Sequence, residues 1–148
     1  MESRELGWGE QQIPYFAVLG VGMTNLSGGL LAAQGTDIAV LREAYRAFNA
    51  RDMDAALATM RPDVDWPNGM EGGTVHGHAG VREYWTRQWG MIDPHVDPVQ
   101  FETDDTGRIV VGVHQVVRDL AGELLLDRMV EHIYSLDGGL ICRMEIRE

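Results

Sequence analysis

The order of hydrophobic periodicities predicts an α+β domain in which helices come first and an antiparallel sheet follows. Three observations carry this. Ile38, Leu41, Ala44, Tyr45 and Phe48 recur at helical spacing. After Pro94 the chain turns into long stretches rich in β-branched residues. Asp137-Gly138, set between two such stretches, is the strongest hairpin signal present. Helices followed by a strand meander pack as helices on one face of a sheet.

Each element has its own justification. Thr36 or Asp37 is suited to cap the first helix, and Asn49-Ala50-Arg51-Asp52 breaks it. Asp52 caps a short second helix through Ala55, Leu57, Ala58 and Met60, which Pro62 is expected to stop. Val64-Asp65-Trp66 reads as a short strand, and Gly72 to Gly77 as a brief strand and turn. A third helix from Ala79 to Trp89 sets Val81, Tyr84, Trp85 and Gln88 on one face. Strands are expected over Val96 to Thr103, Arg108 to Arg118, Glu123 to Leu136 and Leu140 to Arg147.

At 148 residues the chain holds one domain, and 45% hydrophobic content with four Trp fills a core while lining a cavity. A net charge of −11 argues against nucleic acid, which needs clustered cations, and against an anionic membrane surface. Cys142 is the single cysteine, so no internal disulfide forms, as expected in a cytoplasmic setting. His76 and His78 flank the third helix, where turn hydrogen bonding is expected rather than a metal. No zinc spacing and no glycine-rich phosphate loop occur, so neither a metal nor another cofactor is expected.

Residues 1–36 differ from the rest. No charge occurs from Gln11 to Thr36, yet the segment before that stretch is acidic, and glycines, Pro14 and polar residues dilute the apolar run. These features argue against a signal peptide or a membrane span. The expectation is a poorly ordered extension (1–36) ahead of a domain spanning 37–148.

The sheet's two faces differ in character. With Leu120-Ala121 at the turn, Arg118 pairs with Glu123, Val116 with Leu125, His114 with Asp127, Gly112 with Met129 and Val110 with Glu131. One face then carries Val110, His114, Asp127, Met129 and Glu131; the other carries Val111, Val113, Gln115, Val117, Leu124, Leu126, Arg128, Val130 and His132. The mixed face suits a cavity with converging polar groups, and the aliphatic face suits a homodimer interface. The alternative is that His114–Asp127 is a plain cross-strand pair with Glu131 reaching solvent. A slip of one residue would exchange the faces.

LREAYRAFNARDMDAALATMRPDVDW, GGTVHGHAGVREYW and VEHIYSLDGGLICRMEIRE resemble the opening helices, third helix and closing hairpin of the SnoaL-like group of the nuclear transport factor 2-like superfamily. The resemblance implies a cone: a curved, mostly antiparallel sheet packed on three N-terminal helices around a pocket. It implies little about chemistry, because one fold hosts many functions. Against ketosteroid isomerase, Glu131 in Glu131-His132-Ile133 occupies the place of the pocket carboxyl, and Tyr84 and Trp85 resemble its pocket aromatics. The base position falls at Asn68 and the oxyanion tyrosine falls near Ala44, beside Tyr45. Two of three catalytic positions are thus missing or displaced, which argues against steroid isomerisation by that mechanism.

The expected function is therefore a pocket for a small, largely apolar carbonyl compound, either a cofactor-free lyase, isomerase or cyclase or a non-catalytic binding or interaction domain. His114 is the candidate base, Asp127 its orienting partner and Glu131 the oxyanion donor. Tyr45, Trp66, Asn68, Tyr84, Trp85 and Met129 are the expected substrate contacts. Arg143 and Glu145 share a face of the last strand whose direction the turn length leaves open.

Overall fold

A computed structural model describes the protein over residues 28–148, with side chains from residue 35 onward. The elements in chain order are α1 (Gly28–Asn49), α2 (Met53–Leu57), β1 (Met60–Pro67), β2 (Thr74–His76), α3 (Gly77–Trp89), β3 (Ile92–Thr103), β4 (Ile109–Asp119), β5 (Leu124–Asp137) and β6 (Leu140–Arg147). The strands form one curved, unclosed sheet in the order β2-β1-β6-β5-β4-β3, packed against the helices. Every pairing is antiparallel except β1 with β6, which run parallel.

The expected cap at Thr36 or Asp37 lies inside α1, which runs unbroken from Gly28. Leu30-Leu31-Ala32-Ala33-Gln34 are strong helix formers, and no proline interrupts them. Residues 1–27 of the expected extension lie outside the described residues. Helix α2 ends at Leu57, before Pro62, because β1 already begins at Met60. Strand β3 starts at Ile92 and carries Pro94 and Pro98. It tolerates both because it is an edge strand with a register break at Pro98 to Gln100.

One side chain fixes how α1 meets the edge of the sheet. Asn49 donates from Nδ2 to the Val96 carbonyl at 2.7 Å, and its Oδ1 accepts from the Val96 N–H at 2.9 Å. Asn49→Leu removes both partners from a buried backbone unit. It is expected to cost about 2–3 kcal/mol, lowering Tm by roughly 5–10 °C in a thermal melt.

The β4–β5 register corrects the expected pairing. The loop is one residue longer than a two-residue turn: the Asp119 N–H donates to the Glu123 carbonyl, and Asp119 Oδ1 accepts from the N–H groups of Ala121 and Glu123. A bulge between Val117 and Arg118 adds a second one-residue shift, so that Gly112 faces Glu131 and His114 faces Met129. Two shifts of one residue cancel in parity, so from Ile109 to Val117 and from Leu126 to Tyr134 each face keeps the residues expected of it. Beyond the bulge Arg118 pairs with Leu124, which the expectation set on the opposite face, and Leu125 lines the cavity.

Which face turns inward is the opposite of the expectation. Val111, Val113 and Val130 are fully buried among Leu41, Tyr45, Val81 and Trp85 of the helices. The aliphatic face is thus the inner wall of the cone rather than a dimer surface, because covering it with the chain's own helices removes the most apolar area from water. The other face carries a lattice of polar and charged pairs, among them His95–Asp97, His114–Asp127, Arg108–Glu145 and Arg143–Glu145. Arg143 and Glu145 therefore fall on the Glu131 side.

Candidate functional site

Between the helices and the inner face of the sheet lies a cavity of about 860 Å³. Its aromatic wall comes from three elements. Tyr45 and Phe48, three apart on α1, point inward together, as do Tyr84, Trp85 and Gln88 on α3. Trp66 projects from β1 and packs edge-on to Trp85, with centroids 5.5 Å apart; Phe48 meets Trp85 in the same way at 4.9 Å. Such edge-to-face clusters hold rings in fixed positions and present flat apolar surface. Met70, Leu125 and Ile146 lie half exposed along the lining.

The polar part of the lining sits on the sheet. Gln115 on β4 and Arg128 on β5 are cross-strand partners, and Arg128 donates from Nε to Gln115 Oε1 at 2.8 Å. Four residues further along β5 comes His132, on the same face. Tyr134 donates from its hydroxyl to the Tyr45 oxygen at 2.8 Å, and the Tyr45 oxygen lies 2.8 Å from His132 Nδ1. The Tyr45 and His132 rings stack within 8° of parallel. All three residues are buried.

Burial governs their protonation. Loss of solvent, and secondarily the charge of Arg128, lowers the His132 pKa to about 3, so the ring is neutral at physiological pH. Burial pushes the Tyr45 and Tyr134 hydroxyls well above their ordinary value. Tyr45 engages Nδ1; in the tautomer in which Nδ1 accepts from that hydroxyl, Nε2 carries the hydrogen and is the nitrogen left to meet a ligand. Burial likewise raises the Tyr84 pKa, and its oxygen accepts the Gly69 N–H at 3.0 Å, tying the β1–β2 loop to α3.

Of the residues singled out from the sequence, Tyr45, Trp66, Asn68, Tyr84 and Trp85 lie in the cavity lining. Met129 does not; it is on the outer face opposite His114. The proposed catalytic trio lies outside the cavity too. His114 Nε2 and Asp127 Oδ1 are 2.7 Å apart, both side chains about half exposed, as a plain cross-strand pair would be. Glu131 is buried, but its Oε1 takes Nε and Nη2 of Arg147 at 2.6 and 2.5 Å, so it serves an ion pair rather than a ligand. The physical reason is common to all three: they occupy the face the helices leave uncovered. The sequence reasoning passed over His132 and Tyr134. The available signal was His132 itself, an ionisable ring among aliphatic residues on the face with Val130.

A curved, unclosed sheet packed on three helices around an aromatic, largely apolar cavity defines the α+β cone class. The chain belongs to the SnoaL-like domain family, whose model matches residues 41–144. Among solved structures, TerC co-crystallised with polyporic acid is 30% identical with TM-score 0.66, covering 75% of this chain and 89% of that one. A nuclear transport factor 2-like protein of unknown function from Burkholderia pseudomallei is 29% identical at TM-score 0.66, with coverage of 76% and 89%. A Mycobacterium tuberculosis protein in complex with estradiol-17β-hemisuccinate shares the fold at 17% identity and TM-score 0.65, with coverage of 75% and 92%. No curated protein matches the chain. Among the described residues, no helix is long and apolar enough to cross a membrane.

Proposed function

We propose that the cavity binds a planar, largely apolar carbonyl compound and that His132 polarises its carbonyl oxygen, in a cofactor-free isomerisation or cyclisation. The observation that carries this reading is the buried Tyr134–Tyr45–His132 chain, which ends on a neutral imidazole in a largely apolar chamber. A buried polar chain is costly unless every member is satisfied, and here a ligand oxygen at Nε2 would complete it. As negative charge develops on that oxygen, the Nε2–H bond strengthens in a medium of low dielectric. Neither tyrosine gives up its proton readily, so the chain orients and holds His132 rather than supplying a proton through it. All twelve basic residues of the sequence are arginines, so imine catalysis through lysine is not available in these 148 residues.

The bound compounds of the similar structures, polyporic acid and the estradiol ester, support an aromatic or polycyclic occupant. A non-catalytic binding protein is the second reading. What favours it is that Glu148 is the one carboxylate residue among the described residues of the lining, leaving no evident base deep in the chamber. Calorimetric titration with polyporic acid tests the shared core of both readings. Wild type should bind, and His132→Phe, which keeps the ring shape but removes Nε2–H, should weaken binding by roughly tenfold, the value of one hydrogen bond. Equal affinity in the two proteins would remove His132 from the site. Turnover of any carbonyl ligand by wild type but not by His132→Phe would separate the enzyme from the binding protein.

A further inference from the structure

We propose that Tyr84 is a second hydrogen-bond donor in the cavity, and that the ligand is a flat dione with an acceptor oxygen at each end. The proposal rests on the cavity being the binding site and on His132 meeting one carbonyl, as argued above, and adds the second anchor. Tyr84 is buried, and it lines the cavity together with Asn68, Gly69 and Met70 of the β1–β2 loop. Its oxygen accepts the Gly69 N–H at 3.0 Å, which uses a lone pair and leaves the hydroxyl hydrogen to find its own acceptor. The other polar group within reach is the Gln88 amide, whose Nε2 stands 3.5 Å away. That separation is the outer limit of a hydrogen bond, and turning the amide end for end brings its oxygen no nearer. Among the described residues, the Tyr84 hydrogen therefore has no close acceptor. Gln88 Oε1 is likewise buried without a partner, so the protein does not complete this polar corner by itself.

The hydroxyl is suited to donate. Burial keeps the phenol protonated at neutral pH, and accepting a backbone N–H polarises its O–H bond towards an incoming oxygen. Glycine at position 69 leaves room beside it: a Cβ there would stand 3.7 Å from the Tyr84 oxygen and 3.6 Å from Ile146 Cδ1. His132 projects from β5 and Tyr84 from α3, so the two donors belong to different walls of one chamber. Trp66 bridges those walls, its ring centroid 5.5 Å from that of Trp85 on α3 and 6.2 Å from that of Tyr134 on β5. A flat skeleton resting on Trp66 meets a donor at each end. A compound with one carbonyl satisfies one wall and leaves the other donor unpaired, at the cost of a lost hydrogen bond.

Anthraquinone, with a carbonyl at both ends of its central ring, and anthrone, with a methylene in place of one of them, test this by quenching of tryptophan fluorescence. Wild type should bind anthraquinone roughly tenfold more tightly, the value of one hydrogen bond. Tyr84→Phe, which removes one oxygen and keeps the ring packing, should erase the difference by weakening anthraquinone alone. A role confined to holding the β1–β2 loop would weaken both probes alike, and that result overturns the proposal. Equal affinity of wild type for the two probes also overturns it; if His132→Phe still weakens both, the cavity reading stands without it. If neither probe binds, both readings fall. Infrared spectra of wild type with carbonyl-labelled anthraquinone need no variant. Both carbonyl bands should lie below the position of the free compound, and one unshifted band would leave Tyr84 without its ligand oxygen and end the proposal.

Discussion

Acidification from pH 7 towards pH 3 should destabilise the fold by on the order of 3–5 kcal/mol through His132 alone. In the unfolded chain this ring takes up a proton near its ordinary value of 6.5, but in the folded chain burial and Arg128 delay that until about 3. Between those values the unfolded state binds more protons, so stability is full above about 6.5 and falls as pH drops through the window. Urea denaturation at pH 7 and pH 4 measures it. His132→Phe should lose stability at pH 7, by about 1–3 kcal/mol for the orphaned Tyr45 hydroxyl, yet show a much flatter pH dependence. If wild type and His132→Phe lose stability in parallel on acidification, His132 is not the group responsible.

Val113→Arg should unfold the protein rather than split an assembly. Val113 is fully buried between the sheet and the helices, in one cluster with Val111, Val130, Tyr45 and Trp85. An unpaired guanidinium there is expected to cost about 3–5 kcal/mol, and the overpacking adds strain. Circular dichroism should show loss of the cooperative melt. A folded, soluble variant of reduced mass would restore the idea that this face joins two copies. As a control, Val99→Arg at an exposed edge-strand position should leave the melt within about half a kcal/mol, as surface substitutions usually do.

The contrast between those two valines shows where sequence reasoning holds and where it stops. Period-2 alternation held up to the bulge at Val117, because parity survives an even register error, and it failed beyond, where Arg118 pairs with Leu124 and Leu125 reaches the cavity. The aromatics of α1 and α3 were legible for a similar reason: helical spacing places Tyr45 with Phe48, and Tyr84 with Gln88, whatever the tertiary context. Alternation does not say which face the helices cover. Polar residues at His114, Asp127 and Glu131 were read as a site converging inward, but charged side chains pairing along an outer face cost far less desolvation. The helices instead cover the face whose burial gains most from the hydrophobic effect. The Tyr134–Tyr45–His132 chain joins residues almost ninety positions apart, and no local pattern announces such a contact.

The parallel pairing of β1 with β6 has a consequence for biosynthesis. Met60 lies beside Ile141 and Asp65 beside Arg143, about eighty positions later, so β1 has no partner on that side until almost the whole described sequence has left the ribosome. Until then its Trp66 and Val64, and the valines of β4, have no finished wall to pack against. A nascent chain in this state exposes sticky strands of the kind that holdase chaperones shield. A compound present in the cell as the last strand docks would pull the equilibrium towards the native state by mass action, acting as a folding aid as well as a ligand.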